Sequence, residues 1–154
     1  MLKFDLDEIR NAISELSKDS RIYIGCDSER FKQKGIWYSR YVTVVVLHLD
    51  SNHGCKVFGK KDVEKDLDYN KSKPILRMMN EVYRASNLYI ELEDVLKDKD
   101  VQIHLDINPD EKFGSYVAYN QAIGYVKGVC DITPITKPNA FASSKVADRY
   151  TGEK

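Results

Sequence analysis

The sequence predicts a mixed α/β fold, one five-stranded sheet covered by helices. Three observations predict it. Residues 21–27, 36–49 and 55–60 are β-rich and follow one another at hairpin spacing, which makes an antiparallel meander. Beyond residue 74, helical and strand patterns alternate, which makes parallel crossovers. A chain of 154 residues, 42% hydrophobic and 31% charged, reads as one globular domain spanning residues 1–154 rather than as a disordered segment.

Each element has its own signature. Leu6, Ile9, Ile13 and Leu16 recur at helical spacing, and Asp5, Asp7 and Glu8 suit the positive end of a helix dipole, so residues 5–18 read as an N-terminal helix. In the strand at 21–27, Ile22, Ile24 and Cys26 share one face, and Tyr23, Gly25 and Asp27 share the other. Residues 28–35 read as a polar turn and 36–49 as a second strand, β-branched and aromatic. Ser51-Asn52-His53-Gly54 reads as a hairpin turn, 55–60 as a short basic edge strand, and the mixed charges of 60–73 as a solvated loop. Pro74 opens a long helix to about residue 96, apolar along Ile75, Met78, Met79, Val82, Ser86, Tyr89 and Ile90. Residues 101–106 alternate cleanly, with Gln102, His104 and Asp106 on one face, and Asn108-Pro109-Asp110 ends the strand. Residues 115–127 read as a helix stopped by Gly128, and 129–135 as a last strand whose Pro134 places it at a sheet edge. Ser143 or Ser144 caps a short final helix to about residue 150.

Composition excludes several function classes. Lys plus Arg and Asp plus Glu both total 24, so bulk charge does not bind a polyanion and a local patch is required. No apolar run approaches the ~20 residues of a membrane span, and the N-terminus does not read as a signal peptide. Cys26, Cys55 and Cys130 are an odd, scattered set, which predicts a reducing cytoplasm with no structural disulfide and no cysteine zinc site. Phosphate-binding glycine loops are absent. Asp106-x-Asn108-x-Asp110 begins like a calcium loop, but Glu111 replaces the required glycine and Val117 the terminal glutamate.

Chemistry is suggested by acids. Asp27 and Asp106 each follow a strand, and neighbouring parallel strands deliver such residues to one sheet edge. Two close carboxylates repel, and a divalent cation resolves the conflict. Hard oxygen donors select Mg²⁺ or Mn²⁺ over zinc. Each aspartate alone also reads as an ordinary turn former. Asp148 lies on a small-residue helix and offers a third acid, or else a surface pair with Lys145 or Arg149. Glu81 offers a fourth, although Arg77 and Arg84 at helical spacing also make it a plain ion-pair residue. Glu91 and Glu93 are alternatives to it.

The segments Ile22-Tyr23-Ile24-Gly25-Cys26-Asp27-Ser28, His104-Leu105-Asp106-Ile107-Asn108 and Lys137-Pro138, with Ala142-Ser143-Ser144-Lys145-Val146-Ala147-Asp148-Arg149, resemble the YkuK-like family of ribonuclease-H-like proteins. The resemblance spans residues 21–149. It implies sheet order 3-2-1-4-5, with the Asp27 and Asp106 strands side by side. It implies a two-metal Mg²⁺ or Mn²⁺ site held by Asp27, Asp106 and Asp148, completed by Glu81, that hydrolyses phosphodiester bonds in RNA or DNA. His104 is a candidate for assisting proton transfer, and Ser28 and Asn108 for orienting water or ligand. The alternative is a non-catalytic module of the same fold that binds nucleic acid or protein. Local cations for a nucleic acid are Lys56, Lys60, Lys61, Lys65, Lys137 and Lys145, and Tyr38 and Tyr41 are candidates for base stacking. Zero net charge favours a short or single-stranded substrate over a long duplex.

Overall fold

In the computed structural model, which describes residues 2–51, 54–140 and 142–151, helix α1 (Leu6–Ser14) starts on Asp5. The Asp5 carboxylate accepts from the Asp7 and Glu8 N–H groups at 2.9 and 3.1 Å. The helix ends four residues before the predicted residue 18. Strands β1 (Arg21–Gln33) and β2 (Ile36–His48) pair antiparallel along their whole length. Lys34 and Gly35, at φ 52° and 80°, join them. Two left-handed residues give a tight turn whose twist matches the strands it joins. Residues 28–33, expected as a turn, are therefore strand. Their side chains are half-buried or exposed after Ser28, so no core-facing alternation marks them.

Strand β3 (Cys55–Lys65) pairs with β2 and outruns its predicted end at residue 60, because an edge strand tolerates the alternating charges of Lys60 to Lys65. Of the turn before it, Asn52 and His53 lie outside the described residues. Helix α2 (Ile75–Glu91) crosses the sheet, followed by α3 (Glu93–Leu96) and strand β4 (Asp100–Leu105). β4 runs parallel to β1, from Arg21 opposite Asp100 to Cys26 opposite Leu105. A 3-10 turn (Gly114–Ala118) leads into α4 (Tyr119–Cys130), and a π-helical turn (Ala142–Ala147) leads into α5 (Asp148–Thr151). The Ser143 and Ser144 side chains lie outside the description.

The described sheet has four strands in the order β3-β2-β1-β4. The predicted fifth strand, 129–135, is absent as such. α4 runs through Gly128 to Cys130 and ends on Asp131 in the left-handed region, φ 58°, whose N–H returns to Lys127 O. The chain then meets β4 at one parallel bridge, His104 with Ile135. Ile135 donates to Ile103 O and accepts from Leu105 N–H, both at 2.8 Å. Helix occupies the first residues that the strand would have used, and Pro134 has no N–H for a further ladder.

Two apolar clusters sandwich the sheet. Ile22, Ile24 and Ile103 pack with Ile9, Val82 and Leu88 on the α1/α2 side. Tyr23, Val42, Val44 and Val46 pack with Ala142 and Ala147 on the other. Ile75 and Ile90, read as part of the α2 core face, are in fact exposed at its two ends.

Candidate functional site

β4 stops opposite Cys26 while β1 continues, and this opens a cleft of about 370 Å³ at the sheet edge. Asp27, Ser28, Arg77, Asp106, Lys137 and Asp148 line it, with Lys71, Ser72, Pro74 and Met78. Asp27 is 6% exposed, on the β1 face covered by the π-helical turn. Asp106 follows the last residue of β4 and is half-buried. Asp148 opens α5, and its carboxyl hydrogen-bonds to that of Asp27.

Glu81 lies beneath this cleft on α2, 3% exposed. Ser28 Oγ donates to its Oε2 at 2.5 Å. The Arg77 guanidinium donates to Ser28 Oγ and O at 2.8 and 3.1 Å, and stands 3.8 Å from Glu81 Oε2. The first turn of α2 is fixed from outside the helix. Asp68 accepts from the Leu76 and Arg77 N–H groups at 2.7 and 2.9 Å, because Pro74 at the N-cap offers no side-chain acceptor. Glu91 and Glu93 lie ten and twelve residues further on, about 15 Å or more along the helical path. The Glu91 carbonyl is held there by Arg10.

The electrostatics follow from crowding. Burial pushes the Asp27 carboxyl up to about 9, helped by the Glu81 charge, the hydrogen bond with Asp148 and the Asp106 charge. Burial likewise pushes Glu81 up to about 8, against the pull of the Ser28 hydrogen bond and Arg77. Lys137 Nζ sits 2.9 Å from Asp106 Oδ1. This is a charge contact without hydrogen-bond geometry, so that buried oxygen has no hydrogen-bond donor.

His104 faces the same side as Asp106 but is packed into the core, 1% exposed. Its Nδ1 accepts from the Ala142 N–H at 3.1 Å, its Nε2 lies 3.0 Å from Gln102 Oε1, and its ring stands 5.0 Å from that of Tyr23. Burial lowers its pKa to about 4. The neutral ring therefore clamps the π-helical turn to β4 and is almost closed to solvent. Asn108 turns the chain, accepting from the Asp110 N–H. Tyr41 is buried under the Arg84 guanidinium, 3.7 Å from its ring centre, and is not free to stack on a base. Tyr38 is half-buried and stacked on Phe31. Of the predicted cations, Lys137 lines the cleft, whereas Lys60 rests on Phe4 and Lys56 lines a separate groove. Sequence reasoning missed Lys71 and the positioning role of Asp68. The one available signal was the spacing of Arg77 four residues before Glu81.

The model of the ribonuclease H-like family matches residues 6–152. The chain belongs to that family. No curated protein and no solved structure matches it. Family membership sets the ribonuclease H-like chain among nucleic-acid-related folds, and the strand order β3-β2-β1-β4 is consistent with such a fold. Among the described residues, no helix is long and apolar enough to cross a membrane.

The resemblance to ribonuclease-H-like proteins implies divalent cations. Among the described residues no group of three or more His, Cys, Asp or Glu side chains is drawn together as a metal cage. The donor chemistry nonetheless suits a hard cation. The potential donors of the cleft are oxygens, the carboxylates of Asp27, Asp106 and Asp148 with the Ser28 and Ser72 hydroxyls; one buried Asp106 oxygen lacks a hydrogen-bond donor, and burial and neighbouring acids raise the Asp27 pKa.

Proposed function

We propose that this ribonuclease H-like protein is a divalent-metal-dependent phosphodiesterase acting on nucleic acid. The supporting observation is that acids from three separate segments, Asp27, Asp106 and Asp148, line one cleft with Glu81 beneath it. Asp27, Asp106 and Asp148 would hold Mg²⁺ or Mn²⁺. Such an ion supplies a Lewis acid that activates water and neutralises phosphate charge. The chain supplies the rest. Arg77 and Lys71 line the same cleft and offer positive charge to a phosphate. Ser28 keeps Glu81 oriented toward the acids, and Arg77 prevents Glu81 from turning away. The His104 clamp keeps the Asp148 segment on the sheet.

One observation favours the competing reading of a non-catalytic binding module. The Lys137 ammonium already stands against Asp106, as a built-in cation would in a site that has given up metal. Labelled single-stranded and duplex RNA, DNA and hybrid, incubated in Mn²⁺, separate the two. Cutting that EDTA and an Asp27→Asn, Asp106→Asn double variant abolish supports the hydrolase. No cutting of any species, or cutting that the double variant retains, rejects it.

A further inference from the structure

The β1–β2 hairpin extends seven residues past the end of β4, from Asp27 to Gln33. The chain as a whole is neutral, but this arm is not. Between residues 28 and 40 it carries Arg30, Lys32, Lys34 and Arg40 against one acid, Glu29. Trp37, the only tryptophan of the chain, stands on the arm 40% exposed. Lys32 Nζ lies 5.6 Å and the Arg30 guanidinium 6.0 Å from its ring centre. An indole left open to water is an expensive use of apolar surface, and nothing in the core requires it there.

The platform is tied to the cleft. Lys71 lines the cleft and pairs with Asp66 at 3.3 Å. Asp66 pairs in turn with Arg30 at 3.8 Å, and its N–H donates to Trp37 O at 3.0 Å. A chain of ion pairs, Lys71 to Asp66 to Arg30, thus links the acid cleft to the indole. Trp37, Arg30 and Lys32 share the sheet face of Ser28, the residue bonded to Glu81. From Ser28 to Lys32 is about 13 Å of strand, a span that an extended single strand covers in a few nucleotides.

We propose that this arm is the strand-binding element of the site. A single-stranded nucleic acid entering the cleft stacks a base on Trp37 and lays its backbone against Lys32, Lys34 and Lys71. The inference rests on the hydrolase reading for the identity of the polymer. The indole supplies a stacking surface that accepts any base, and the flexible Lys32 ammonium leaves the ring to meet a phosphate. A duplex, with its bases already stacked, lacks what the indole needs.

Trp37 reports on itself. With EDTA present to prevent cutting, titration of a twelve-nucleotide oligouridylate or oligothymidylate quenches its emission saturably. The midpoint moves to higher concentration as salt rises. Trp37→Ala, read by anisotropy of a labelled strand, weakens binding by roughly tenfold or more. Lys32→Ala with Lys34→Ala lowers the salt slope by about 1.4. Circular dichroism melts confirm that these exposed-site variants fold. Unmoved emission, equal quenching by polyglutamate or by a matched duplex, or wild-type affinity in Trp37→Ala overturns the proposal. The Asp27→Asn, Asp106→Asn variant still quenches with the strand. Absent cutting with intact quenching therefore rejects only the hydrolase, and absent quenching with intact cutting rejects only the arm.

Discussion

At Asp27 and Glu81 the fold concentrates negative charge where water is scarce. Both groups titrate higher in the folded chain than in the unfolded one, at about 9 and about 8 against ordinary values of 3.8 and 4.5. The stability they lend is complete below the ordinary values and is lost as pH rises through the folded ones. In EDTA the melting temperature should therefore fall from about pH 5 to about pH 9, and Asp27→Asn should flatten that fall. A flat wild-type profile would show that the two acids are not crowded. Lys137→Met tests the same balance from the other side. With the ammonium gone, the metal-free protein should melt lower, and the Mn²⁺-induced rise in melting temperature should grow, because a competing cation has left Asp106. The acids themselves were legible in the sequence, since Asp27 and Asp106 follow alternating strands and Glu81 sits on the crossover helix. The Lys137 contact with Asp106 was not, because it joins residues through a loop with no periodicity to read.

Individual elements divide along the same line. β2, β4 and the middle of α2 were readable because each buries an apolar stripe that imposes its period on the sequence. The outer half of β1 and of β3 was not, because residues 29–33 and 61–65 are only half-buried or exposed and carry no such stripe. The fifth strand was overread. Its β-branched Val129 was taken up by the continuation of α4, Ile132 falls just past the helix cap, and a single bridge at Ile135 is what remains. Two substitutions test element-level claims. A Cβ at Gly59 would stand 2.7 Å from Thr43 O and 3.1 Å from Val44 Cγ1, so Gly59→Ala should force β3 off β2 and cost about 1–3 kcal/mol in a denaturant melt. His104→Phe keeps a ring beside Tyr23 but removes the acceptor of the Ala142 N–H, at a cost of about 1–3 kcal/mol. Its hydrogen exchange should quicken across residues 142–151 while β1 and β2 stay protected. Uniform quickening would mean that His104 serves the core and not the Asp148 segment.

For the whole molecule, zero net charge means that any affinity for a polyanion is local and falls steeply with salt. Metal binding should be visible without any substrate. Mn²⁺ at a hundred times its dissociation constant should stabilise the fold by about 2.7 kcal/mol, and the Asp27→Asn, Asp106→Asn variant should show no such rise. An equal rise in that variant would place the ion elsewhere.

The unequal lengths of the sheet have a mechanical consequence. β1 is gripped on both sides as far as Cys26 and on one side only beyond it. Beyond Cys26 the hairpin is held along its other edge, by β3 as far as Tyr38 and by the Asp66 N–H on Trp37 O. Asp27 is the first residue past the end of β4. The indole therefore stands at a set distance from that carboxylate, as the fixed jaw of a gauge, and a chain that touches both must span one length.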